Sequence, residues 1–445
     1  MGDIFDEPRE LVRNEILELK ESGYDVEEAE KLFSQYLWLE RHFHFEDARY
    51  FFYTIFPRLR KKENFRYIEP SELENIMKES DFEKNSENIF SEDCLLDKIY
   101  GGWLGRAAGC TLGKPTEGFT RGKIFKYLFS TDQYPLLDYI DSTNIKEIKQ
   151  LDPLRLRATK GKIDGTPRDD DMDFSIVNLI CLEKKGKEFT SADVGNTWLE
   201  NLPYYLVYTA ERVVYKNLVN GFAPPESAKH INPYREWIGA QIRADMFGWI
   251  SPGNPYQAAK LAFKDASLSH TKNGIYGEMF VAAMIATAFV NDNPIEIVKT
   301  GMKYIPTKSR LYEAVKYTME IALSNDNWEK VWDIVMEKYG GYHTVHTINN
   351  AAIVVLSLIC GKGNFEKSIA IAVQSGLDTD CNSATVGSIV GVIKGAKVLP
   401  SKFIEPLHDR LDSYIPEFAN FKISELAKRT LYLIESREER KGGNN

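Results

Sequence analysis

Apolar residues recur along this chain mostly at intervals of three and four, the spacing of helices with one buried face. Leu11, Ile16 and Leu19, then Leu32, Leu37 and Leu39, mark two amphipathic helices near the start. Stretches 57–70 and 79–92, with Pro57, Pro70 and mixed charges, read as connections. From Asp93 onward the texture shifts to small and apolar residues. Helices are predicted there over 172–184, 255–267, 275–291, 308–323, 327–338 and 349–360. Alternating strand patterns are rare, and the run Val354–Ile359 suits a buried helix as well as a strand. The predicted fold class is all-α. Segment 131–167, rich in Pro, Asp, Gly and Lys, reads as a long loop, a kind of element that often carries function. The shift near Asp93 divides the chain into a helical extension, 1–92, and a main body, 93–445. The extension holds no chemical constellation. It is either a module packed on the body or one that binds a partner.

Two helices of the main body stand out. Gly101, Gly105, Gly109 and Gly113 fall every fourth residue, and Gly387, Gly391 and Gly395 repeat the spacing near the far end. Each interior glycine costs a helix about 1 kcal/mol relative to alanine. The stripes are therefore explained by close backbone approach, where a side chain would clash. They predict two buried, central helices that can touch.

Hydrophobic residues make up 43% of the 445, as in a globular protein. Fifty-six basic against 65 acidic side chains leave a net charge of −9, which disfavours broad binding to a phosphate backbone. The longest apolar runs, 280–290 and 351–360, fall short of the roughly 18 residues of a membrane span. The acidic N-terminus does not resemble a signal peptide. Five cysteines without a CxxC pair point to neither a disulfide framework nor a zinc site, and the expected setting is cytoplasmic.

The candidate chemistry lies in two acidic turns. Asp169, Asp170 and Asp171 run together, followed by Asp173, just before an apolar helix. A helix N-terminus favours negative charge, so a solvated helix start is one reading. Three adjacent carboxylates beside a buried helix nevertheless repel one another unless a cation compensates. Asp378 and Asp380 flank Thr379 immediately before the second glycine helix. Within a regular helix, residues two apart point about 200° away from each other. These two converge only if they occupy the turn entering the helix. Two such turns suit a hard cation with oxygen ligands, magnesium above all, although two separate helix caps remain the alternative. Glu117 follows the first glycine helix, where an exposed loop glutamate is the plainer reading. His270 lies between two helices and reads equally as a capping or core histidine. Gly239 and Gly253, around Arg243, could offer backbone N–H groups to phosphate.

Taken in order, these segments resemble the ADP-ribosylglycohydrolase family over about residues 95–400. Lys98–Glu117 echoes the family's opening helix, G-x-x-x-G-x-x-x-G-D-x-x-G leading to a glutamate, with Cys110 in place of the aspartate. Its T-D-D motif aligns with Asp169, Asp170 and Asp171, so Asp169 replaces the threonine. Ile238–Arg243 is a looser counterpart of G-N-G-x-x-M-R, and Ser269–His270 matches an S-H motif. The closing G-D-T-D-T reads Leu377, Asp378, Thr379, Asp380 and Cys381. Cys381 cannot supply the hard oxygen of a threonine.

The resemblance implies a compact orthogonal helical bundle and hydrolysis of a ribosyl anomeric bond in an ADP-ribosylated protein or small molecule. It implies two Mg2+ ions, or Mn2+, held by Asp169, Asp170, Asp171, Asp378 and Asp380. Asp380, Glu117 and Asp171 are the candidate catalytic residues, and Glu117, Gly239, Arg243, His270 and Thr379 the candidate substrate contacts. Another ribosyl N- or O-glycoside as substrate, or a non-catalytic ADP-ribose-binding module, are the competing readings. Neither nucleic acid nor membrane is an expected partner.

Overall fold

In the computed structural model, residues 7–39, 43–84, 90–142 and 153–435 are described. The molecule is all-α apart from one two-stranded antiparallel ribbon among these residues, Arg410–Leu411 against Phe421–Lys422. No described helix is long and apolar enough to cross a membrane.

The glycine stripes organise the centre. The first glycine helix, Glu92–Gly113, lies against the second, Thr379–Lys394, in opposite directions. Gly101 faces Gly391, Gly105 faces Gly387, Gly109 faces Ser383 and Gly113 faces Thr379. A Cβ added to any of these four first-helix glycines would overlap a backbone carbonyl of the other helix. The helix-propensity penalty is thus offset by backbone-to-backbone packing that no larger residue permits. The stripe on the second helix is continued by Ser383 and Thr379, whereas Gly395 lies past the helix end with φ +77°. Ser383 Oγ donates to the Gly109 carbonyl (2.7 Å), and Thr379 Oγ1 to the Gly113 carbonyl (2.8 Å), pinning the register.

Around this seam pack two helices that are apolar on every side and buried throughout, Asn273–Ala288 and Thr347–Gly361. Val354–Ile359 lies in the second of them and is therefore helical. The helices expected over 172–184, 255–267, 308–323 and 327–338 appear as Asp170–Lys185, Pro255–Ala266, Arg310–Leu323 and Trp328–Tyr339. The expected loop 131–167 lies partly outside the described residues and contains a short helix, Pro153–Arg157.

The N-terminal segment forms Pro8–Glu21 and Glu27–Leu39, with an aromatic cluster of its own in which Phe33, Phe43 and Phe51 meet edge-on or tilted. It packs on the body. Leu11 is buried against Ala210, Val213, Tyr234 and Trp237. Below it, Glu15 takes both terminal nitrogens of Arg235 (2.6 and 2.9 Å), Glu18 meets Lys272 (3.1 Å), and Glu69 and Glu236 share Arg310 (2.8 Å each). Carboxylates from the extension and cations of the body thus neutralise one another across the junction.

Candidate active site

The antiparallel register brings the end of the first glycine helix beside the start of the second. Gly113 touches Thr379, so the chain leaving one helix, Lys114–Glu117, runs next to the chain entering the other. Asp378 is the residue preceding that second helix, and Asp380 lies in its first turn. This is the turn geometry under which the two carboxylates can converge. Leu377 enters it with φ +62° and Gly376 with φ +75°. A left-handed leucine is strained, and it stands where the family motif carries glycine.

Asp169 caps the helix Asp170–Lys185, its Oδ1 accepting the N–H of Asp171 (3.0 Å). Arg106 fixes that helix to the seam. Buried in the first glycine helix, it donates to the Asp171 carbonyl (2.7 Å), Asp171 Oδ1 (3.1 Å), the Ile242 carbonyl (2.6 Å) and Asp245 (2.7 Å). Burial alone would favour its neutral form, but Asp245 and Asp171 outweigh that and hold it charged.

Three chain segments therefore converge. Ligand atoms of Asp169, Asp171 and Asp380 lie within 4.8 Å of one another, as do those of Asp378, Asp380 and Cys381. Glu117 stands at the edge, its Oε2 accepting from Arg155 (3.0 Å), with two-fifths of its side chain exposed. Lack of water, followed by the charge of Asp169, pushes Asp170 up to about 8. Asp380 is raised well above the carboxylate range by burial and then by Glu117, Asp169 and Asp378. Its Oδ1 is buried and has no hydrogen-bond partner. An orphaned buried carboxylate oxygen among crowded acids is what a site for a divalent cation presents without its ion, and the donor set fits one.

Some expected site residues have other partners. Asp171 gives one oxygen to Arg106 and accepts from Cys381 Sγ on the other (3.0 Å), so its carboxylate is anchored instead of free to react. Thr379 spends its hydroxyl on the Gly113 carbonyl. Arg243 is fully buried and bonded to Asp265 (2.6 Å), Glu211 (2.5 Å) and Ser269 (2.9 Å). A Cβ on Gly239 would strike the Glu211 carboxylate. Two buried carboxylates already neutralise this guanidinium, which leaves it unsuited to grip a phosphate. His270 bonds to Ser269 through Nδ1 (2.7 Å) and is held neutral by burial and then by Arg243. Gly239, Arg243 and His270 are thus not among the residues that form the acidic cluster.

Conversely, Arg106, Lys114, Arg155 and Arg168 hold the site's carboxylates, and the sequence reading passes over all four. Arg106 left a signal, since a cation set among glycines and alanines in the buried half of a helix demands a buried counter-charge. Asp173, seen only as a fourth acid, pairs with Arg168 (2.8 Å) and accepts from Ser413 (2.6 Å).

A helical bundle built on a glycine seam, with acids from three segments pooled at one end of it, defines the class. The family model for ADP-ribosylglycohydrolase matches residues 91–440, and the chain belongs to that family. A chain of a solved "ADP-ribosylglycohydrolase-related protein complex" aligns at 17% identity with a TM-score of 0.50, over 77% of this chain and 99% of its own, a likeness of fold. No curated protein matches the chain.

Proposed function

We propose that this chain is a metal-dependent hydrolase that cleaves the anomeric bond of a ribosyl group in an ADP-ribosylated protein or small molecule. The observation that carries the reading is the convergence of Asp169, Asp171, Asp378 and Asp380, with Asp380 Oδ1 left unpartnered. Asp170, Asp378 and Asp380 would hold Mg2+ or Mn2+, with Asp169 and Asp171 beside them. A bound divalent ion supplies Lewis-acid contacts to a sugar diol and so fixes the ribose.

The chain's own groups then meet the demands of the reaction. Cleavage develops positive charge at the anomeric carbon and ring oxygen, and the pooled carboxylates lower the energy of that state. Asp380 or Glu117 would orient the attacking water and take its proton. Asp380 is a proton acceptor only with cationic compensation beside it, because burial and then the neighbouring carboxylates otherwise favour its protonated form. Arg155 positions Glu117 from the outer side.

A second reading within the same chemistry has its own support. Arg243 is committed to Asp265 and Glu211, which favours a ribosyl glycoside without a pyrophosphate handle at that segment. A panel of ribosyl conjugates incubated with enzyme and Mg2+, read by mass spectrometry, separates the two by the product released. The double variant Asp378→Ala/Asp380→Ala is expected to lose metal-dependent turnover while far-UV circular dichroism stays near wild type. Full activity in that variant would refute the assignment.

A further inference from the structure

The two ligand triads of the acidic cluster share Asp380 but differ in what surrounds them. In the first, Asp169 is ion-paired with Lys114 and Asp171 with Arg106. In the second, Asp378, Asp380 and Cys381, no basic side chain comes within ion-pair distance among the described residues, and Asp380 Oδ1 has no partner at all. Lys114 reaches the first triad from the turn that ends the first glycine helix, with only a tenth of its side chain exposed. Its Nζ bonds to Asp169 Oδ2, and Asp380, Cys110 and Glu117 are its further electrostatic neighbours.

We propose that the Lys114 ammonium takes the place of one of the two cations, so that this chain binds a single divalent ion, at the Asp378–Asp380 side of the cluster. This rests on the metal-dependent reading above and narrows it. Charge supports it. Lys114 already supplies Asp169 with the positive charge that it would otherwise take from a metal, whereas Asp378 and Asp380 have no such partner among the described residues. A second dication at the first triad would stand beside this buried ammonium, and there the repulsion is only weakly screened. The same pairing accounts for Asp169. Where the family motif has a neutral threonine, this chain carries an acid, and the lysine that bonds to it restores the local balance.

The count of bound ions tests this directly, with Mn2+ as the probe. Mn2+ is titrated into the full-length protein, and uptake is followed by calorimetry and by the electron paramagnetic resonance signal of the free ion. Wild type is expected to bind one ion per chain. Lys114→Met, which frees Asp169, is expected to bind two, and Lys114→Gln, which keeps a donor to Asp169 without the charge, tests the same point in a gentler background. Two ions on wild type overturn the proposal and leave the metal-dependent reading standing. One ion on both wild type and a folded Lys114 variant overturns it as well. Uptake by a variant but not by wild type overturns the single-ion count. No uptake by any form overturns both the proposal and the reading beneath it. Should neither variant fold, as judged by circular dichroism, the wild-type count alone decides between one ion and two.

Discussion

Arg106 shows how much of this site is built by residues that cannot touch a substrate. It is buried completely, and its guanidinium ties the acidic helix, the first glycine helix and the Ile242–Asp245 turn together. Replacing it with methionine keeps much of the volume but leaves Asp171 and Asp245 buried without a counter-charge. Breaking a buried pair in this way costs about 3–5 kcal/mol. Arg106→Met is therefore expected to shift the urea midpoint strongly downward; a midpoint unchanged from wild type would refute this role. Leu377 works in the opposite sense. It holds a left-handed conformation that aims the following aspartates, and the strain sits where two carboxylates must face inward.

At the scale of helices, the glycine seam separates positions that look alike in sequence. Gly105 and Gly122 both lie within helices. A Cβ on Gly105 would collide with the Gly387 carbonyl, whereas one on Gly122 would meet nothing within 4 Å. Gly105→Ala gains about 1 kcal/mol of helix propensity but forces the seam apart, and overpacking of about 1–3 kcal/mol or more outweighs it. Gly122→Ala keeps the gain without the clash and is expected to stabilise by about 0.5 kcal/mol. Urea denaturation of the two variants should move in opposite directions, and parallel shifts would contradict the seam.

This scale also shows what could be read from the sequence. Four-residue glycine spacing was enough to foresee two touching helices, because only backbone contact repays such a loss of propensity. The acidic turns were legible for a similar reason: Asp378 and Asp380 cannot converge inside a helix. The helices Arg121–Ser130, Ser191–Asn201, Thr209–Val219, Phe365–Gln374 and Ile423–Glu435 were not foreseen. Several are short and half-exposed, so their apolar stripe is brief, and neighbours instead of periodicity hold them. Lys114 and Arg155 were invisible for another reason. A lysine after a helix is ordinarily a solvated cap, and nothing local tells that this one is buried against an aspartate from 55 residues further along.

Across the whole molecule, the junction between the N-terminal segment and the body carries a pH dependence. Glu21 is pushed up to about 8, by burial first and then by the charges of Glu18 and Glu236, against the opposing pull of Arg310 and Lys272. Nearby, His346 accepts the Ile348 N–H on Nδ1 (3.1 Å), so a neutral ring carries its proton on Nε2, which faces Glu21 at 3.5 Å. The folded chain keeps the Glu21 proton up to pH about 8, while the unfolded chain releases it near its ordinary 4.5. Across that window the folded state binds more protons, so this group's contribution is present below pH about 4.5 and fades as pH rises to about 8. Glu21→Gln, neutral at every pH, is expected to lose less melting temperature than wild type between pH 5 and 8. Differential scanning fluorimetry at both ends of the range checks this, and a constant offset between the two proteins would contradict it.

The seam of small residues also bears on how such a protein can change over evolution. Its acidic end is set by main-chain atoms pressed against main-chain atoms, which leaves little room for gradual adjustment by side-chain replacement. New preferences would then arise in the segments beside the acidic cluster, such as the turn Lys114–Glu117 and the Arg155 that meets it, while the two central rods stay unchanged.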